Sequence, residues 1–312
     1  MADRLDGDNG LISQGRPQPE TGGVALLQVA FWRRPWLRTV ALLTPPLAWF
    51  LLVYLASLAL LLVTAFWQIN SFTTKIEQVW TLDNFQQLFT DPTYRLIVGR
   101  TLGLAIAVTL TDAVIAFPIG YYMARVASRR TQTLLFAAVL LPLWASYLAR
   151  VYAWILILAH NGVLNSTLLA LHLPAANIGY TNVAMWIVFC YVWLPFMIVP
   201  VYSALERVPE SLLEAAADLG ARRWRTLRDV LLPLALPGLA AGSIFTFSLT
   251  LGDYITPILV GGAGSSFIGN VAYSNIGIAN NVPFAAAVAT IPIAIMAVYL
   301  LVARRLGAFE AF

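Results

Sequence analysis

Three ionisable side chains stand inside long apolar runs of this sequence: Asp112, Arg150 and Asp253. A charge at the centre of a membrane-spanning helix costs roughly 2.5–3.5 kcal/mol on insertion scales, so such residues need a partner or a purpose. Two readings stand side by side. Arg150 and Asp253 fall at similar depth and would form a structural ion pair, leaving Asp112 to polar neighbours such as Thr109 and Thr111. Alternatively the acids line a route for a cationic solute, with Phe247, Tyr254 and Thr256 around Asp253 and aromatic faces able to stack on an ammonium group. Other chemistry is poorly provided for. The single cysteine, Cys190, lies inside an apolar run, and His160 and His172 lack metal-ligand spacing. Neither a disulfide, a redox pair nor a metal site is expected.

The elements that must position these groups are membrane spans. Of 312 residues, 60% are hydrophobic and only 11% charged. Soluble domains average roughly 45–50% apolar and 25% charged, so the composition is that of an all-α polytopic membrane protein. Six runs approach the ~20 residues needed to cross a bilayer: 40–67, 96–123, 134–158, 183–205, 237–260 and 282–303. Ahead of them, 1–29 reads as a disordered polar tail, and 31–38 mixes aromatics with arginines as an interfacial elbow does. Residues 30–312 form the transmembrane domain. Fifteen of the 19 basic residues fall on one side if the N-terminus is inside, so both termini and the 206–236 loop are expected in the cytoplasm. The net charge of +4 follows that topology and is no nucleic-acid footprint.

One charged stretch between the fourth and fifth spans is built differently. Leu212, Ala215, Ala216 and Leu219 recur at helical spacing and give a short amphipathic helix. Ser211 and Glu214 have the spacing of a capping box, Gly220 ends the helix, and 222–230 reads as a second short helix stopped by Pro233. The first piece is about 15 Å long, too short to span, and so lies at the membrane surface with a face to offer.

The spacing within that stretch is a signature. Glu214-Ala215-Ala216, three residues, Gly220, nine residues, Val230, one residue and Leu232-Pro233 resembles the EAA loop of membrane subunits in bacterial ATP-binding-cassette importers. SLTLGDYITPILVGG, followed by IGN, and TLDNFQQLF are similar to the polyamine subgroup, although Arg100 stands where that subgroup has Asn. The resemblance implies a type I importer permease of the bacterial inner membrane, moving a small cation such as spermidine or putrescine by alternating access. It implies as partners a second homologous permease in a heterodimer, two cytoplasmic ATPases, a solute-binding protein on the outer loops and membrane lipid. It assigns the ATPase contact to Leu212, Leu213, Glu214, Ala215, Ala216, Asp218, Leu219, Gly220 and Arg222, and a path to the fifth span.

The chain carries no GxxxxGK[ST] phosphate loop, since its only lysine is Lys75. It is therefore read as no enzyme and as binding no cofactor, with ATP and magnesium used by the partner ATPase. Other solutes of the same importer class, 4-aminobutyrate, another amino-acid derivative or a ferric complex, stay open. An intramembrane aspartyl protease would need Gly at Thr250 to complete GxGD, and a secondary transporter would be expected to repeat its halves. Neither pattern is present.

Overall fold

The computed structural model describes residues 35–70 and 73–305. The 1–29 tail and the first four residues of the 31–38 elbow lie outside them. The chain divides into two compact units, 1–60 and 61–312.

In the first unit, helix α1 (Pro35–Trp49) continues through a π turn (Phe50–Leu55) into α2 (Ala56–Thr64), whose last turn enters the second unit. Pro45 and Pro46 lack the N–H groups that an α-helical ladder needs there, and the looser turn follows them. Thr44 and Ser57 turn their hydroxyls back onto the carbonyls of Val40 (2.6 Å) and Val53 (2.5 Å). Such back-bonding satisfies a hydroxyl where no water is at hand.

The second unit begins with a two-stranded antiparallel ribbon, β1 (Gln68–Ile69) and β2 (Ile76–Glu77), with Gln68 opposite Glu77. Helix α3 (Asp83–Thr90) follows. Then come α4 (Pro92–Tyr121) with a π turn (Tyr122–Val126), α5 (Arg129–Trp144), α6 (Tyr147–Leu158), α7 (Val163–Ala170) and α8 (Asn182–Glu206). Beyond the loop helix α9 (Glu210–Asp218) lie α10 (Arg223–Thr226), a π turn (Leu227–Leu231), α11 (Leu232–Gly252), α12 (Ile255–Val260), α13 (Ile268–Gly277) and α14 (Val282–Arg305).

Six helical stretches among the described residues are long and apolar enough to cross a membrane: Thr39–Thr64, Pro92–Val126, Tyr147–Ala170, Asn182–Glu206, Arg223–Gly252 and Val282–Arg305. Within the second unit α8 is central. Helices α4 and α11 pack against it, and glycines set the approach. A Cβ on Gly238 would stand 2.6 Å from both Ala204 Cβ and the Pro200 carbonyl oxygen, and one on Gly242 would stand 2.6 Å from Met197 Sδ. The Gly238-x-x-x-Gly242 face thus seats α11 directly on α8. Two apolar clusters fill the seams. One, around Val151, Met185, Phe189 and Phe267, lies away from the loop; the other joins Met123, Met197, Val201, Leu205, Val208 and Leu231 beside it.

Several expected boundaries move. The third run is not one helix, because Ala145 and Ser146 turn extended (ψ 143° and 139°) between α5 and α6. Residues 160–181 and 261–281, which lie between runs, hold the short helices α7 and α13. Pro233 does not stop a helix. The π turn just before it absorbs the missing donor, and helix continues from Arg223 to Gly252. The fifth span breaks at Asp253 instead of running to 260, since the Asp253 carboxylate takes the backbone N–H groups of Ile255 and Thr256 out of the helical ladder.

Candidate coupling loop and solute path

Helix α9 starts without the expected capping box. Pro209 is its N-cap (φ −63°, ψ 140°), so Ser211 already lies inside the first turn and caps nothing. Glu210 still complements the positive end of the helix. The other end closes as expected. Gly220 sits at φ +76°, its N–H reaches Ala217 O (2.8 Å), and Ala221 N–H reaches Ala216 O (2.9 Å). This pair of bonds is the Schellman stop, which favours glycine at the left-handed position. No atom lies within 4 Å of a Cβ built there, so a side chain at 220 would be strained but not crowded.

The candidate contact residues divide between two faces. Leu213 is half-buried against the cluster containing Val208 and Leu231 and fastens the helix to its own chain; Ala216 is buried as well, so both offer little to a partner. Leu212, Glu214, Ala215, Asp218, Gly220 and Arg222 are exposed, and Leu219 is 89% exposed. Trp224, 70% exposed on the next helix, extends this surface and went unread in the sequence. Also unread were the bonds that brace the loop. Arg125 donates to the carbonyls of Leu205 and Val208, and Gln132 donates to Tyr202 Oη (2.5 Å) and Glu206 Oε1 (3.1 Å).

The polar groups within the spans are arranged otherwise than expected. Arg150 and Asp253 make no ion pair: Arg150 Nη1 donates to the Val192 carbonyl (3.4 Å). The Asp253 carboxylate is held by four donors, the Tyr147 hydroxyl, Thr256 Oγ1 (3.0 Å), Ile255 N (2.7 Å) and Thr256 N (3.2 Å). None of the four is a cationic side chain. From Tyr147 a run of rings descends through Trp193, stacked at 5.6 Å, to Phe196 and Phe245. Tyr254 lies half-exposed against Tyr273, with ring centroids 4.8 Å apart.

The other expected path residues face inward. Thr256 is buried, and Phe247 is buried against the Tyr299 ring of α14 at 4.5 Å, so neither lines a surface of this chain. Asp112 is fully buried, and its carboxylate oxygens accept from no N–H or O–H donor among the described residues; the Cys190 thiol is their polar neighbour. Thr109 and Thr111 do not serve it, because their hydroxyls turn back to the Ala105 and Ala107 carbonyls (2.7 and 2.8 Å).

Residues 116–308 match the pattern of one known family, described as the binding-protein-dependent transport system inner membrane component. The chain belongs to this family. Over 306 residues the permease is 47% identical to the inner membrane ABC transporter permease protein YdcU of Escherichia coli K12, across 94% of this chain and 97% of that protein. It is 36% identical over 210 residues to the spermidine/putrescine transport system permease protein PotB of Haemophilus influenzae, across 67% of this chain and 73% of that one. Among solved structures, a chain of a bacterial alginate ABC transporter with its periplasmic protein superposes with a TM-score of 0.73 at 20% identity, across 88% of this chain and 95% of that chain. The inward-facing MetNI methionine ABC transporter gives 0.54 at 20% identity, across 70% and 95%. The fold is that of an ABC importer permease, all-α apart from the short ribbon.

Proposed function

We propose that this permease carries small polyamines such as spermidine and putrescine inward across the bacterial inner membrane. In this reading both termini and the 206–236 loop are cytoplasmic. Two ABC ATPases, which bind the ATP and magnesium, seat on the loops of this chain and of a sibling permease. A solute-binding protein delivers the solute to the opposite face. The naming of PotB relatives as spermidine/putrescine permeases supports the solute class.

The observation that carries the reading is Asp253. Its carboxylate stands at the break between α11 and α12, and all four of its donors are neutral. A desolvated ammonium needs a counter-charge, and this acid supplies one beside the Tyr147–Trp193 stack, where an aromatic face adds attraction. Closure of the ATPases on ATP pushes the exposed Leu219 surface. Leu213 passes the push into the cluster at the end of α8, and the spans open outward; hydrolysis returns them.

The test is uptake of radiolabelled spermidine by the full complex in proteoliposomes. Asp253→Asn keeps the size and most of the hydrogen bonds while removing the charge, and uptake is expected to fall about ten-fold or more, the scale of losing one charge-assisted contact. Unchanged uptake would remove Asp253 from the path.

A further inference from the structure

Arg125 lies in the π turn that ends α4, and the loop it braces belongs to a different pair of spans. Its guanidinium Nη2 donates to Leu205 O (2.5 Å) and to Val208 O. Leu205 is in the last turn of α8, where carbonyls are left without helical partners and the helix end carries partial negative charge. Val208 is in the three-residue link that launches α9. Leu205 O also accepts from Val208 N–H (3.4 Å), and both residues are buried, so losing the Arg125 donor would remove a partner where little water can replace it. From this latch α4 runs its full 30 residues, a rod about 45 Å long. In the other half of the helix, more than two turns inside its Pro92 end, Arg100 Nη1 donates to Gly264 O, and Thr101 Oγ1 accepts from Ile268 N (3.2 Å). The link before α9 and the 261–281 segment on the opposite face are thereby tied to one continuous helix, about 25 residues apart along it.

We propose that Arg125 is a positioning residue for transport, fastening α4 to residues 205–208 so that movement of the coupling helix is carried along α4 to the 261–281 segment. A positive-inside count explains a basic residue anywhere in the 125–130 turn. It does not explain a guanidinium folded inward onto two named carbonyls. The π turn, closed by Ala127 N–H on Tyr122 O (2.9 Å), is what aims it there.

The inference rests on reading the 206–236 loop as the ATPase lever, and the two fail separately. The assay is ATP hydrolysis by the purified four-subunit complex, basal and with its binding protein as isolated, alongside uptake with spermidine as the probe. Arg125→Gln is expected to copurify with the ATPases and keep basal hydrolysis, while stimulation by the binding protein drops to about basal and uptake per ATP falls about ten-fold. Arg125→Lys, which keeps a charged donor, is expected to recover part of the stimulation. Wild-type stimulation per assembled complex in Arg125→Gln would overturn the latch. Should Arg125→Gln fail to assemble, Arg125→Lys decides: reduced stimulation supports the latch, and the wild-type ratio overturns it. A wrong lever shows elsewhere, as a Leu219→Asp complex that still holds its ATPases.

Discussion

The hydroxyl of Tyr147 donates to the carboxylate of Asp253 across 106 residues of sequence, joining the first turn of α6 to the break between α11 and α12. This bond replaces the expected Arg150–Asp253 pair. Tyr147→Phe leaves the Trp193 stack in place but takes one donor from a nearly buried carboxylate. Removing a partner from a buried charged group costs about 1–3 kcal/mol, so a lower melting temperature of the detergent-purified complex is expected. Arg150→Gln, which touches no Asp253 contact, is expected to leave spermidine uptake within about two-fold of wild type, less than the ten-fold of a lost charged bond. A larger loss would restore the ion pair to consideration.

Gly220 separates strain from crowding. Its φ of +76° disfavours any residue with a Cβ by roughly 1–2 kcal/mol, but the space around it is open. Asparagine tolerates this conformation better than β-branched residues. Gly220→Val is therefore expected to insert normally and lose most uptake, and Gly220→Asn to retain much of it. Equal uptake by both variants would show that the turn geometry is not what the loop needs.

Gly238 tests packing in the opposite sense. A Cβ there meets backbone and Ala204 at 2.6 Å, whereas one on Gly103 meets nothing within 4 Å. Gly238→Val is expected to accumulate poorly in the membrane, and Gly103→Ala to accumulate and melt like wild type. Immunoblots of membranes and melting curves decide.

Much of this was legible in the sequence, for identifiable reasons. Spans and the loop follow from composition and from i, i+3, i+4 spacing, which are local. The Schellman stop at Gly220 followed from residue type. What hydropathy could not see are the breaks at 145–146 and 253, because the runs stay apolar through them; Asp253 marked one of the two. Arg125 was hidden by its neighbours, since Arg129 and Arg130 beside it need no explanation beyond topology. Tyr147 and Trp193 stand mid-run among other apolar residues, where spacing alone marks neither. Only the fold brings Tyr147 to Asp253.

Asp91 offers a pH signature away from the membrane spans. It caps α4 by accepting from Thr93 N (2.7 Å), and this backbone bond holds its carboxyl below the ordinary range. A group whose folded pKa is depressed stabilises above its unfolded pKa and loses that contribution as pH falls through the folded value. Asp91→Ala should therefore melt below wild type at pH 7, with the difference closing as the pH drops through and below the ordinary Asp value near 3.8. A gap that persists at the acid end would mean that the cap acts through something other than its charge.

The central claim is that α9 presents Leu219 to a cytoplasmic ATPase. The chain's one native cysteine, Cys190, is buried, so Leu219→Cys in intact membranes gives a single reactive thiol. With a short bifunctional maleimide cross-linker and an engineered cysteine in the cleft of the copurifying ATPase, a permease–ATPase product that changes in yield with ATP is expected. Labelling of position 219 by a membrane-impermeant maleimide added from outside, with no ATPase product, would contradict it.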